Sequence, residues 1–597
     1  MGKHILVVVD YQYDFYSPEG ALYVKGGENL QTNIAGIIPY FEQVIFTQDW
    51  HPASHCSFDS NGGQWPVHCV ENTLGAEIPA ELLALCKSYT LLKKGCNQNK
   101  EEYGAFADSK RAESLLADAE SVVVCGIAGD YCVLETLKNI VGTIGTDRVR
   151  VYLDGTASID NGTALNSYMK EKNILATTKY EEAIKLLKDS PMFNLSLSSK
   201  ELFHSNFLYW IYLANKKAFR NLLNKIEIDT GSWGENWVAK REYLNFDLCI
   251  ISNDEKQERL LAVIENKVKS IPTVEQLAKY NDKIIKKFGK ETKPQRILLS
   301  LTESNIKKDD LNGLAGWRYV SYQSICDGLL EECFQSNFSG YSKELINDYA
   351  NFVQALITLA NIWKEDVVDN NIFLLDYNDR ESKNEGENQE DVVSNNGQSN
   401  NISNKYSDAK ELRIHDLYGK YRTAILKEKL EDRLKDKGLL EHPTLSITPQ
   451  IAYSNSQPIL EVMIKGIVES EDDLDAEAFF ISIQGNQYRH AINARDKGAS
   501  TKEGRVEESI QKCRDTAAWL WFMNPKVHPN DANDCFPKND LLIKSGQRKN
   551  YCSFAGRNGV NYIYQYRKIS PNATVGNILE IVVEDVKKLL EQLNNQQ

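Results

Sequence analysis

The chain has 597 residues, 42% hydrophobic and 25% charged, with 69 Lys and Arg against 83 Asp and Glu. That length is too great for one hydrophobic core and predicts three or four domains of ordinary globular composition. The formal net charge of −14 excludes a strongly basic nucleic-acid coat protein, although not a locally basic groove. No apolar run reaches about 18 residues, so no membrane span or membrane partner is expected. MGKHILVVVD enters a strand directly, without the layout of a signal peptide. The twelve cysteines form no CxxC pair and read as reduced thiols, which points to the cytoplasm.

Residues 1–187 alternate strand and helix patterns. HILVVVD (4–10), QVIFTQD (43–49), YTLLKK (89–94), SVVVCGI (121–127) and RVRVYLD (148–154) are short apolar runs. KRAESLLADAE (110–120) and LETLKNIVGTI (134–144) between them read as helices. Near-continuous apolar strands separated by helices predict an α/β fold with a doubly wound parallel sheet. SPMFNLSLSSK (190–200) reads as a connector. A second pattern over 196–375 opens with a helix from Glu201 to Leu223. Strands follow at 246–252 and 260–267, then a helix from Val274. Residues 376–408 are polar, rich in Asn, Glu and Ser, and read as a disordered linker or insertion. Residues 409–597 read as a mixed α+β region, helical at first, with strands in TLSITPQIAYS and PILEVMIKGIV.

Six residues in the first region carry chemistry. Asp10, Asp49 and Lys94 each close a strand run, and Cys132 lies in the turn after SVVVCGI. In a parallel α/β sheet, reactive groups gather at the carboxyl ends of the strands. A thiol at a helix start sees backbone N–H groups that lower its pKa and stabilise an oxyanion. Asp10 is placed to act as base toward that thiol and then as acid toward a leaving group, and Lys94 favours the thiolate. Asp49 and His51 in DWHPASH, with His68 in WPVHC, form a carboxylate–imidazole set that suits Zn, Mn or Fe and leaves positions open. His55 fits a loop-stabilising hydrogen bonder better than a fourth ligand.

DYQYDF, TQDWHPASHCSF, WPVHCV, KKG and GIAGDYCV, in this order, resemble the nicotinamidase branch of the isochorismatase-like hydrolases over about residues 1–185. The resemblance implies hydrolysis of nicotinamide to nicotinate and ammonia through a thioester on Cys132, within pyridine-nucleotide salvage. It implies a catalytic trio of Asp10, Lys94 and Cys132, and a metal held by Asp49, His51 and His68 that binds the ring nitrogen. It also implies an oxyanion hole from the N–H groups of Ala128 and Cys132, and a cis peptide between Ile127 and Ala128. Phe15 and Trp65 match aromatics that sandwich the pyridine ring. The chain departs from the family at Gly129, where Thr or Ser is common, and in KEEYGAFAD, where Ser often precedes Ala-Phe. A related amidase of the same family with another substrate is the alternative.

A second constellation follows. Asp247 sits in an apolar strand, and Glu265 and Lys267 in LLAVIENK point the same way from the next one. Two carboxylates, Asp247 and Glu265, suit Mg²⁺ against phosphate oxygens, and Lys267 suits positioning of the attacking water. With Gln276 and Tyr280 on the following helix, these residues resemble the PD-(D/E)XK nuclease superfamily over about 196–370. That implies a restriction-endonuclease-like α/β core, with Glu201 as a candidate further ligand and nucleic acid, DNA or RNA, as partner. Lys216, Lys217, Arg220, Lys225 and KIIKKFGKETKPQR (283–296) supply basic residues for a phosphate backbone. The aromatic stretches WLWFMNPK (519–526) and KNYCSFAGRNGVNYIYQYRK (549–568) fit core strands better than a nucleic-acid platform.

The expectation is a nicotinamidase joined to a Mg²⁺-dependent nuclease, compatible with a homo-oligomer. The fusion would link salvage to nucleic-acid cleavage, as in a defence or damage-response system. The alternative from a different class is a metabolic amidase carrying an inactive nuclease-like interaction module.

Overall fold

A computed structural model describes residues 2–196, 200–252, 258–269, 274–302, 316–374, 405–454, 457–466, 478–495, 552–555, 560–570 and 572–595. The chain packs as two units, Met1–Met192 with Gly340–Leu359, and Phe193–Ser339 with Ala360–Gln597. No helix among the described residues is long and apolar enough to cross a membrane.

The first unit is built on six strands: β1 (Lys3–Val9), β2 (Gln43–Asp49), β3 (Tyr89–Lys94), β4 (Ala119–Ile127), β5 (Val149–Ala157) and β6 (Leu175–Thr177). They form one sheet in the order β3-β2-β1-β4-β5-β6. Every pairing is parallel. The Val, Ile and Leu runs of β1, β2 and β4 are buried almost end to end because helices cover both faces. One such helix, Cys132–Ile144, buries Val133, Leu137 and Ile140 on a single stripe. This is the doubly wound α/β fold read from the sequence. The strand order reverses beside β1, so the carboxyl ends of β3, β2, β1 and β4 form one crevice. Gly126, at φ +123°, lets β4 approach β1 closely, since a Cβ there would fall 2.0 Å from the Val9 carbonyl oxygen.

The later segment Gly340–Leu359 is tied to this unit by polar contacts. Asp348 accepts from the Ser190 hydroxyl at 2.6 Å and the Met192 N–H at 3.0 Å. Tyr40 donates to Thr358 Oγ1 at 2.6 Å.

The second unit holds two sheets. The first contains β7 (Trp237–Tyr243), β8 (Phe246–Ser252), β9 (Arg259–Asn266), β10 (Gln295–Ser300) and β11 (Trp317–Ser321), in the order β11-β10-β9-β8-β7. The β7–β8 and β8–β9 pairs are antiparallel, and β9–β10 and β10–β11 are parallel. The second sheet is antiparallel, from β12 (Leu445–Ser454), β13 (Gln457–Gly466), β14 (Ala478–Gln484), β15 (Gln487–Arg495), β16 (Cys552–Ala555) and β17 (Val560–Lys568). The helices His415–Asp436 and Val575–Asn595 cover it through Leu430, Leu434, Ile578 and Val582, packed on Val462 and Ile464.

Two helix boundaries differ from the sequence reading. Ala119 and Glu120, expected as the end of a helix, open β4, and the helix covers Ser109–Leu116. The helix from Glu201 breaks after Ala214, because Asn215 turns extended and its side chain caps the next helix, Lys216–Lys225, through the Ala218 N–H. The expected linker 376–408 lies outside the described residues up to 404, and residues 405–411 are helical. WLWFMNPK also lies outside the described residues, whereas parts of the second aromatic stretch are β16 and β17.

Candidate active site and nuclease-like centre

The structure brings the six residues of the first constellation together at the carboxyl ends of β1 to β4. Asp10 follows β1, Asp49 ends β2, Lys94 ends β3, and Cys132 opens the helix after β4. Lys94 Nζ lies 2.9 Å from Asp10 Oδ2, 2.6 Å from Asp49 Oδ1 and 3.5 Å from Cys132 Sγ. Ligand-type atoms of Asp10, Asp49 and Cys132 all fall within 4.8 Å of one another. All four side chains are buried.

Charge is divided unequally in this pocket. Burial pushes the Asp10 carboxyl up, and the Asp49 charge adds to this while Lys94 opposes it. Burial also acts to raise Asp49, but Lys94 and the two histidines outweigh it and hold Asp49 below the usual carboxylate range. Contrary to the lowered thiol expected at a helix start, burial raises Cys132 well above its ordinary value, against the pull of Lys94. Burial opposes the Lys94 charge, yet Asp10 and Asp49 keep it firmly protonated. The resting arrangement is therefore a thiol beside an ammonium and an easily protonated carboxylate.

Asp49, His51 and His68 place one ligand atom each within 4.8 Å of one another, all buried. His51 Nδ1 meets the Gly95 carbonyl at 3.0 Å, and His68 Nδ1 meets the Pro66 carbonyl at 2.7 Å. A carbonyl partner requires an N–H at Nδ1, which leaves each neutral ring with its Nε2 lone pair. That outer-shell pattern is the one metal-binding histidines show. One carboxylate and two imidazoles so oriented fit a divalent Zn, Mn or Fe ion. Gly95, at φ +64°, is needed because a Cβ there would lie 2.4 Å from the His51 ring. His55 has both nitrogens engaged, with Ser57 Oγ at 2.7 Å and the Lys100 carbonyl at 3.1 Å, and stacks on His51.

The pocket over Cys132 is lined by Phe15, Trp65, Tyr103, Ala128 and Tyr131 together with the metal-type trio. Trp65 stands edge-on to Tyr131 and donates to Tyr103 Oη at 3.0 Å. Phe15 packs 5.5 Å from the His68 ring. The Ile127–Ala128 peptide is cis. Among the described residues, neither the Ala128 nor the Cys132 N–H donates to a backbone acceptor. A Cβ at Gly129 would fall 2.0 Å from Ser158 Oγ, so the Ser158 side chain takes the space a larger residue would use.

Three supporting residues escaped the sequence reading. Gln12 accepts from the Asp49 N–H at 2.8 Å and donates to the Asp49 carbonyl at 2.8 Å and the Ala76 carbonyl at 2.9 Å. It thereby acts as a substitute strand partner for the last residue of β2. Asp14 accepts from the Cys69 N–H at 2.7 Å, next to His68. Thr47 donates to Asp10 Oδ1 at 2.6 Å and accepts from the Asp10 N–H at 3.1 Å. Gln12 and Asp14 lie inside DYQYDF, and nothing in their residue types alone announces these contacts.

In the second unit, β8 and β9 put Asp247 beside Glu265. The Asn266 N–H donates to Asp247 Oδ2 at 2.6 Å. Lys267 Nζ lies 2.8 Å from Glu265 Oε1, and Tyr280 donates to the same oxygen at 2.6 Å. Gln276 in turn donates to Tyr280 Oη at 2.8 Å. Burial and the Glu265 charge push Asp247 up to about 7. Burial opposes the Lys267 charge, but Glu265 and Glu201 raise it to about 12. Lys267 and Tyr280 relieve the Glu265 charge only in part, since Asp247 stays raised beside it, and two adjacent carboxylates of this kind fit a hard cation such as Mg²⁺. Glu201 accepts from the Lys269 N–H at 3.1 Å and, among the described residues, does not join Asp247 and Glu265 in a three-ligand cluster.

The basic residues of Lys216–Lys225 are largely engaged within the fold. Lys216 bonds the Glu235 and Trp237 carbonyls, Arg220 pairs with Glu235, and Lys225 pairs with Glu331. Lys283, one turn beyond Tyr280, has its ammonium 5.4 Å from the Tyr280 ring centroid.

Comparison with known proteins matches the two regions that hold these constellations. The Isochorismatase domain pattern matches residues 4–176, and the PD-(D/E)XK nuclease superfamily pattern matches residues 192–351. A nicotinamidase of Saccharomyces cerevisiae is 30% identical over 206 residues, covering 28% of this chain and 94% of that protein. A nicotinamidase of Acinetobacter baylyi is 36% identical over 155 residues, covering 22% of this chain and 71% of that protein. A solved L. infantum structure in complex with nicotinate is 33% identical, covering 30% of this chain and 93% of that chain, with a TM-score of 0.27. The chain belongs to the isochorismatase family, with nicotinamidases among its relatives, and carries a PD-(D/E)XK nuclease superfamily domain behind that module.

Proposed function

We propose that the first unit hydrolyses nicotinamide to nicotinate and ammonia. The observation that carries this reading is the contact of Lys94 with Asp10, Asp49 and Cys132 beside the Asp49/His51/His68 trio. The Cys132 thiol gives its proton to Asp10 as its sulfur attacks the carboxamide carbon, and Lys94 supports the developing thiolate. The Ala128 and Cys132 N–H groups receive the oxyanion. Asp10, held by Thr47, then protonates the leaving nitrogen, and ammonia departs from a nicotinoyl thioester. A water deprotonated by Asp10 cleaves the thioester, releasing nicotinate and returning the proton to the thiol. Asp49, His51 and His68 would hold a divalent metal, which when bound would supply Lewis-acid character at the ring-binding end of the pocket. Phe15 and Trp65 flank the ring. Acid-quenched turnover followed by mass spectrometry tests this: a nicotinoyl adduct on the Cys132 peptide is the expected product.

The second unit is proposed to cleave nucleic-acid phosphodiester bonds with Mg²⁺ on Asp247 and Glu265, with Lys267 orienting the attacking water. The Lys267–Glu265–Tyr280 chain of contacts supports this. In this reading 196–375 and 409–597 together make the nuclease region, separated by the insertion 376–408. Incubating plasmid, single-stranded DNA and RNA with Mg²⁺ tests it, with Lys267→Ala as the control that must lose cleavage. An intact Asp247/Glu265/Lys267 set favours an active enzyme over an inactive interaction module.

A further inference from the structure

Lys420 lies on the helix His415–Asp436, 153 residues after Lys267 and beyond the segment matched to the nuclease superfamily. Its side chain is buried, at 4% exposure. Its ammonium donates to the Lys267 carbonyl at 2.8 Å and to the Val268 carbonyl at 2.9 Å.

The location of those carbonyls matters. β9 ends at Asn266, so the main chain at 267 and 268 has left the strand. The Lys267 N–H still reaches the Leu299 carbonyl, at 2.7 Å. Lys420 then holds the carbonyl side of the same residue. The Lys267 backbone is pinned at both ends while its side chain extends to Glu265.

A buried ammonium is a poor choice for filling space. Its desolvation costs several kcal/mol, whereas Leu or Met would fill the volume without that penalty. Burial indeed lowers Lys420 to about 7, with Glu201 opposing and Lys267 adding to the shift. A lysine amine here is accounted for by the two main-chain acceptors its N–H donors satisfy, in either protonation state.

We infer that Lys420 is a positioning residue of the nuclease-type centre, fixing the main chain of Lys267 so that its ammonium stays registered on Glu265. The inference rests on the nuclease reading above. It makes the helix His415–Asp436 part of that centre's construction. Lys420 acts through the Lys267 and Val268 carbonyls it bonds.

The test uses the full-length chain with Mg²⁺ and whichever nucleic acid the wild type cleaves. The kcat, KM and thermal midpoint are measured for wild type, Lys420→Met and Lys420→Arg. Lys420→Met is expected to lower kcat by roughly tenfold to a hundredfold, the usual scale for a supporting shell, with KM and folded fraction unchanged. Lys420→Arg keeps charged donors and recovers part of the loss. Should Lys420→Met not fold, Lys420→Gln, which retains a donor, carries the same comparison. Wild-type kcat in the Met variant, or a loss matching its unfolded fraction alone, overturns the inference and leaves the nuclease reading standing. No cleavage by the wild-type chain on any substrate overturns the nuclease reading and this inference with it.

Discussion

Lys94 Nζ sits 2.6 Å from Asp49 Oδ1, so a single ammonium joins the cysteine trio to the metal trio. The sequence reads these as two sets with separate jobs. The structure makes them one electrostatic unit, because Lys94 also pairs with Asp10 at 2.9 Å. Removing that cation leaves two buried carboxylates facing each other.

Lys94→Met should therefore fail in two ways. Amide hydrolysis is expected to fall on the order of 10²–10³-fold, the scale for losing an electrostatic stabiliser. Stability should fall by about 3–5 kcal/mol, because a buried ion pair is broken on one side only. Ammonia-release kinetics and denaturant unfolding check the two parts separately. A variant with normal stability would contradict the assigned burial of charge.

Gln12→Leu removes the side chain that brackets Asp49 by its N–H and carbonyl. Metal affinity is expected to weaken about 10–100-fold, as for other outer-shell changes. Competition with a graded chelator, read by elemental analysis, measures this without any turnover assay. Affinity equal to wild type would show that the β2 terminus holds Asp49 unaided.

The Asp247/Glu265 centre is expected to bind Mg²⁺ in a pH-dependent way. Asp247 is raised from 3.8 to about 7, so between those values the folded chain holds a proton the unfolded chain has released. Without metal, its contribution makes stability fall as pH rises from 3.8 through about 7. Mg²⁺ competes with that same proton. Apparent affinity should rise by up to roughly tenfold per pH unit below the folded value and then level off. Calorimetric titration across this range checks it, and Asp247→Asn should weaken binding and flatten the profile.

His204 offers a separate stability test. Burial holds its imidazole down to about 3, from an ordinary 6.5. Between those values the unfolded chain binds a proton the folded chain refuses, so this contribution to stability is intact above 6.5 and lost on acidification. His204→Phe should reduce the acid-side slope of unfolding free energy against pH. An unchanged slope would contradict a neutral, buried His204.

The doubly wound sheet was legible because β1, β2 and β4 each carry a short, largely apolar run bounded by helix patterns, as strands of a sheet covered on both faces do. The three-residue β6 was not, since Leu175–Thr177 is too short to carry a period. Asp10, Asp49, His51, His68, Lys94 and Cys132 stood out as reactive side chains at strand ends. Gln12, Asp14 and Thr47 did not, because ordinary polar residues gain these contacts only when distant strand ends converge. Lys420 was the least legible. Its partners are main-chain carbonyls 153 and 152 residues away, and no local spacing records them.

Ammonia release from nicotinamide, measured on the metal-supplied full-length chain and on Cys132→Ala, tests the central claim most directly. Rapid release by the wild type and none above background by the variant is the predicted result. Equal rates in the two proteins, or no release from either with the metal bound, would contradict it.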